Sequence, residues 1–136
     1  MCTVITSEQK DNPEIAKKNI KVYKIGRLFR GNFIPNYMKD FRYKPSKIYS
    51  TKFSYEYFFA TDCDDIEERY LSTLVDAQFV TEGFHAFTTL KRVKDASKGR
   101  YIPVDIGVFI IPKGAQYYRN PARCIVSNSI IFKNLI

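Results

Sequence analysis

Ile20-Lys21-Val22-Tyr23-Lys24-Ile25 alternates apolar and basic residues with a period of two. Successive side chains of a strand point to opposite faces, so this pattern predicts a half-buried strand with one wet, positively charged face. Turn signals follow at short intervals. Gly31-Asn32 leads into Phe33-Ile34, Pro35-Asn36 breaks the chain before Phe41-Arg42-Tyr43, and Lys44-Pro45-Ser46 precedes the run Lys47 to Phe53. Short runs punctuated this way predict an antiparallel meander through the first half. The aromatic supply is 10 Tyr and 11 Phe with no Trp. A phenol buries its ring while its hydroxyl reaches water, which suits sheet surfaces.

Three segments read as helical. Asn12-Pro13-Glu14-Ile15-Ala16-Lys17-Lys18 offers a capping Asn, a Pro suited to the first helical position and lysines toward the end. Over about 62 to 75, Ile66, Tyr70 and Leu74 share a helical face while acids crowd the first turns. A third helix begins at Thr88, whose hydroxyl can cap it, and stops at Gly99. Strands are expected at Phe84 to Phe87, Tyr101 to Ile111, Cys124 to Ser127 and Ile130 to Phe132. No composition break, repeat or low-complexity run divides the 136 residues, a length at which one core suffices. The expected fold class is α+β: a compact, mainly antiparallel β domain with two or three short helices, forming a single domain over 1–136.

Several classes are disfavoured. The longest apolar stretch, Val104 to Pro112, contains Asp105 and is far below the roughly 20 residues of a membrane helix. The N-terminus lacks the basic start and apolar run of a secretory signal. Cys2, Cys63 and Cys124 form no C-x-x-C pair, and an odd count argues against a disulfide framework. A cytoplasmic setting is expected, within a host cell or a virion. The net charge is +8, with 12 basic and 5 acidic residues up to 61, 1 and 6 over 62–76, and 9 and 3 thereafter. Such a balance favours encounters with anionic partners without choosing among them.

His85 is the only histidine, so any chemistry needing an imidazole near neutral pH must use it. It follows Gly83 and precedes a helix start where Thr88 or Thr89 could receive an anion, with Lys91 and Arg92 one turn further on. Packing between Phe84 and Phe87 is nevertheless its expected role. In Ile111-Pro112-Lys113-Gly114-Ala115-Gln116-Tyr117-Tyr118 the turn exposes Lys113, and a ring beside Lys113, Arg119 and Arg123 could stack a base and hold a phosphate. Adjacent strand tyrosines point to opposite faces, so only one can serve. Tyr23 completes the binding candidates. The acids Asp62, Asp64, Asp65, Glu67 and Glu68 fail as a calcium loop, because Ile66, Glu67 and Thr73 stand where a ligand, a glycine and the closing glutamate belong. They read as a helix start, or as a contact for a basic patch on a second copy. No metal site and no cofactor is expected.

Val22-Tyr23-Lys24, Gly83-Phe84-His85, Ile111-Pro112-Lys113-Gly114 with Tyr117-Tyr118, and Val126-Ser127-Asn128 occur in an order that resembles small uncharacterised proteins of gut bacteria of the Bacteroidales type and of their phages. That resemblance implies a compact α+β fold and a phage origin. The chain is also distantly similar to ADP-ribosyltransferase-like folds. There the similarity implies a non-catalytic copy, since Tyr23-Lys24 lacks the first-strand His or Arg and Arg123-Cys124 stands near the place of the late acidic residue. The leading expectation is a non-enzymatic binding or assembly module, a virion component or a host-directed inhibitor, meeting an anionic ligand, a protein partner or its own copy. The alternatives are a nucleotide-using transferase or hydrolase with His85 in its site, and a nucleic-acid-binding protein.

Overall fold

In the computed structural model the described residues are 3–36, 40–57, 77–98, 103–120 and 124–136. They form β1 (Thr3–Ile5), α1 (Ser7–Asp11), β2 (Glu14–Ile15), β3 (Ile20–Phe29), β4 (Asn32–Pro35), β5 (Ile48–Ser50), β6 (Ser54–Tyr57), β7 (Gln78–Glu82), β8 (Phe84–Phe87), α2 (Leu90–Ser97), β9 (Asp105–Ile111), β10 (Gln116–Arg119), β11 (Cys124–Ser127) and β12 (Ser129–Leu135). Every ladder between these strands is antiparallel, and two helices lie among the described residues. Neither is long and apolar enough to cross a membrane. The helix expected over 62–75, with its acids, lies outside the described residues.

A nine-stranded sheet runs β2-β10-β11-β8-β3-β9-β12-β5, with β4 also against β3, and a three-stranded sheet runs β1-β7-β6. The long strand β3 is the axis. One of its edges pairs with β9 from Ile20 to Gly26; its other edge is shared, β8 meeting it at Tyr23 and β4 taking Gly26 to Phe29. The β3–β4 hairpin turns on Arg30 and Gly31, both with positive φ (52° and 81°). Positive φ at both central residues matches the right-handed twist of the flanking strands. Isolated bridges Phe33–Tyr43 and Pro45–Phe132 then complete a circuit from β4 through Tyr43 and Pro45 to β12, β9 and back to β3.

That circuit encloses the main core. Phe33 sits edge-on to Phe109 with centroids 5.2 Å apart, and 5.3 Å from Phe132. A β-carbon at Gly26 would come within 2.7 Å of the Phe33 ring and 2.2 Å of the Ile34 carbonyl, so the bare backbone makes room for that ring. A smaller cluster of Ile5, Val80, Tyr118 and Val126 joins the two sheets. The sheets share one chain segment: β7 belongs to the small sheet and β8 to the large one, with only Gly83 between. Gly83 has φ +155°, and an added β-carbon would stand 2.5 Å from Val126.

Three expectations need correction. The lead-in helix lies earlier, at Ser7–Asp11, because Thr6 and Gln9 form a reciprocal capping box: Gln9 N–H donates to Thr6 Oγ1 (3.2 Å) and Thr6 N–H to Gln9 Oε1 (3.0 Å). Asn12 ends that helix instead of starting one. The meander runs through the β3–β4 hairpin and the Phe33–Tyr43 bridge and ends there, since β5 pairs with β12 and β6 with β7. Finally, Lys21 and Lys24 differ in parity, so they cannot share a wet face; Lys24 lies with Val22 on the core side of β3.

Candidate functional site

The site grows from a long-range clasp. After Pro13, β2 adds to the sheet edge, Glu14 opposite Tyr117 and Ile15 opposite Gln116. Ala16 N–H donates to the Ala115 carbonyl (2.9 Å), Gly114 N–H to the Ala16 carbonyl (2.8 Å), and Lys113 N–H to Asn19 Oδ1 (3.0 Å). The clasp holds Lys17 and Lys18 in an exposed bend before β3 begins. Beneath it opens a hollow of about 590 Å³, where Glu14, Lys17, Lys18, Lys21, Tyr117 and Arg119 line the space together with Ile15, Asn19 and Ile20.

Strand alternation supplies the wall. Tyr117 and Arg119 are two apart on β10 and share the face that meets Glu14, whereas Tyr118 between them turns to the opposite side. There its hydroxyl donates to the Lys10 carbonyl (2.8 Å) and lies 2.7 Å from Tyr55 Oη. Burial, then the Tyr55 bond, hold the Tyr118 phenol above its ordinary range. One tyrosine therefore faces the hollow and the other is structural. Among the described residues the ion pair is Lys98–Asp95, at the C-terminal end of α2, so none of the four cations of the hollow is neutralised by a carboxylate in contact. Lys113 is exposed on the clasping turn beside Asn19 and does not line the hollow. Arg123 lies outside the described residues.

The corner around His85 is a packed one. Its Nδ1 stands 3.1 Å from Oγ1 of fully buried Thr3, on β1 of the small sheet. Burial and then the charge of Lys24 pull the imidazole down to about pH 3. A ring held neutral down to that point does not change its charge near neutral pH. Thr89, not Thr88, caps α2, its Oγ1 accepting from Arg92 N–H (3.2 Å). Lys91 and Arg92 are exposed on α2, and Tyr23 is half-buried opposite Phe87. His85, Thr88, Lys91, Arg92 and Tyr23 all stand outside the lining of the hollow.

Lys24 is the charged group that sequence reasoning misplaced. Its ammonium donates to the His85 carbonyl and rests 5.8 Å from the Tyr43 ring centroid and 5.9 Å from that of Phe109. The cause is the handover on β3. β8 leaves β3 after Tyr23–Phe87, so the His85 carbonyl has no β3 amide opposite it, and Ile25 instead accepts from Asn36 N–H. The lysine fills the gap. Burial lowers its pKa to about 8.

Lys17, Lys18 and Lys21 were missed as site residues because their meeting with Tyr117 and Arg119 depends on β2 pairing with β10, about a hundred residues away. No group of three or more His, Cys, Asp or Glu side chains among the described residues is placed to hold a metal. Comparison of the chain with protein-family models, with curated proteins and with solved structures finds no match.

Proposed function

We propose that this protein is a non-enzymatic binding module that takes a phosphate-bearing ligand in the hollow between β2, β3 and β10. The observation carrying the proposal is the convergence of Lys17, Lys18, Lys21 and Arg119 on one hollow, against one carboxylate, Glu14, among the described residues. Flexible lysines act as point charges, whereas the Arg119 fork is suited to grip two phosphate oxygens. Tyr117 adds a ring on which a base can lie, a contact worth about 1–3 kcal/mol per base. The volume of about 590 Å³ falls within the ordinary range of small-ligand sites.

Exposed cations are screened by salt, so binding should be strongly salt-dependent. A fluorescent single-stranded oligonucleotide serves as the polyphosphate probe, with inorganic pyrophosphate as competitor. If all four cations engage, log K against log salt should fall with a slope of about −3, and each charge removed should reduce the slope by about 0.7. Lys18→Glu with Arg119→Glu should weaken binding by at least tenfold, Tyr117→Ala should weaken oligonucleotide more than pyrophosphate, and Glu14→Gln should tighten both. A flat salt response, or full affinity in the double variant, contradicts the proposal.

A further inference from the structure

A second hollow, of about 360 Å³, opens where Gly83 carries the chain from one sheet to the other. Its charged lining is the reverse of the first. The walls are rings: Phe41, Tyr43, Tyr49 and Phe84. Phe41 and Tyr49 have centroids 5.4 Å apart at 66°, Tyr43 and Tyr49 5.1 Å at 84°, and Tyr43 and Phe84 6.3 Å at 63°. Rings meeting at such steep angles are not stacked flat on one another, so they turn different sides toward the shared space. Among the described residues the charged group lining this space is Glu82, with no lysine or arginine, in a chain whose net charge is +8.

The same rings already hold cations of the chain from outside the hollow. Lys47 Nζ lies 5.1 Å from the Tyr49 centroid and Lys24 Nζ 5.8 Å from that of Tyr43, both within the reach of a cation–π contact, and neither residue lines the hollow. Phe41, Tyr49 and Phe84 are half-buried, so part of each remains open.

We propose that this hollow binds a methylated ammonium group, seated against Phe41, Tyr49 and Phe84 with the Glu82 carboxylate as counter-charge. A bare ammonium is compact and strongly hydrated, and a wall made of aromatic rings does not replace its water. Methyl groups spread the charge and bring apolar surface, which the negative ring faces receive without hydrogen bonds. The volume suits a head group. The chemistry is shared by a free choline-like head group and by a methylated lysine side chain.

The test titrates the folded protein with choline, with its neutral isostere 3,3-dimethylbutan-1-ol, and with a peptide carrying trimethyl-lysine beside the same peptide unmodified, following binding by NMR. Choline should bind about tenfold more tightly than the neutral isostere, the margin one cation–π seat supplies. Glu82 is exposed, so Glu82→Gln should leave Tm unchanged and weaken choline several-fold. Phe41→Leu should weaken it too, and pyrophosphate should not compete, which separates this site from the basic hollow. Tighter binding of the trimethylated peptide than of choline assigns the site to a modified protein; equal affinities assign it to a free head group. Equal binding of choline and its isostere, no binding of choline, or undiminished affinity in both variants overturns the proposal.

Discussion

Lys24 and His85 meet at the place where β3 passes from β8 to β4, and each is shaped by the other. The ammonium satisfies a carbonyl that the sheet leaves unpaired, a bond whose loss in a buried setting costs about 1–3 kcal/mol. Burial of the charge opposes it: Lys24 falls from 10.5 to about 8. Between those values the unfolded chain holds a proton that the folded chain has lost, so stability should rise with pH from about 8 to 10.5. Lys24→Met removes both effects, which are of similar size and opposite sign. Its stability at pH 7 should therefore stay within about 1 kcal/mol of the parent. The rise above pH 8 should vanish in a denaturant series against pH. His85 acts at the other end of the scale. Its folded pKa of about 3 lies below the ordinary 6.5, so its contribution is present above 6.5 and is lost as pH falls through that window. His85→Gln, which keeps a polar partner for Thr3, should flatten the decline between pH 6.5 and 5, above the carboxylate range.

Single residues also decide how elements join. Gly83 turns one extended segment from the small sheet into the large one at φ +155°, with Val126 and Phe53 against the position a β-carbon would take. Gly83→Ala should cost several kcal/mol, on the order of an overpacked core site with added backbone strain, read as a lowered urea midpoint. Thr6→Ala removes the capping box of α1 and should cost about 1 kcal/mol. What could be read from sequence follows the range of the interaction. β8, β11 and the body of α2 were legible because turn residues and short apolar runs mark them locally, with Thr89 one place from the expected cap. The capping box at Thr6 and Gln9 was equally local, but Asn12-Pro13 imitated a helix start and obscured it. β2 carried no signal of its own: two exposed residues become a strand only because β10 lies beside them. The parity of Lys21 and Lys24 was present in the chain, yet a lysine on an apolar face is intelligible only once β8 is seen to leave β3. The basic hollow inherits these limits, with Tyr117 and Arg119 legible and Lys17, Lys18 and Lys21 dependent on the clasp.

Across the whole molecule, the core is the circuit of β3, β4, β12 and β9 closed by two isolated bridges around Phe33, Phe109 and Phe132. Phe33 is fully buried and touches two neighbouring rings, so Phe33→Ala should cost about 3–5 kcal/mol and loosen the whole transition. The outer strands of the large sheet are short: β5 has three residues, between Lys47 and Lys52, and β2 has two, followed by Lys17 and Lys18. Short, lysine-flanked edges resist pairing with another sheet, which leaves the cations beside β2 available for an anion. The central claim is that this anion enters beneath the clasp. The most direct measurement is an amide chemical-shift titration of the folded protein with pyrophosphate. Saturable shifts concentrated at 14–21 and 113–119 are expected, with β5 and α2 undisturbed. Shifts centred on α2 around Lys91 and Arg92, or none that saturate, would contradict it.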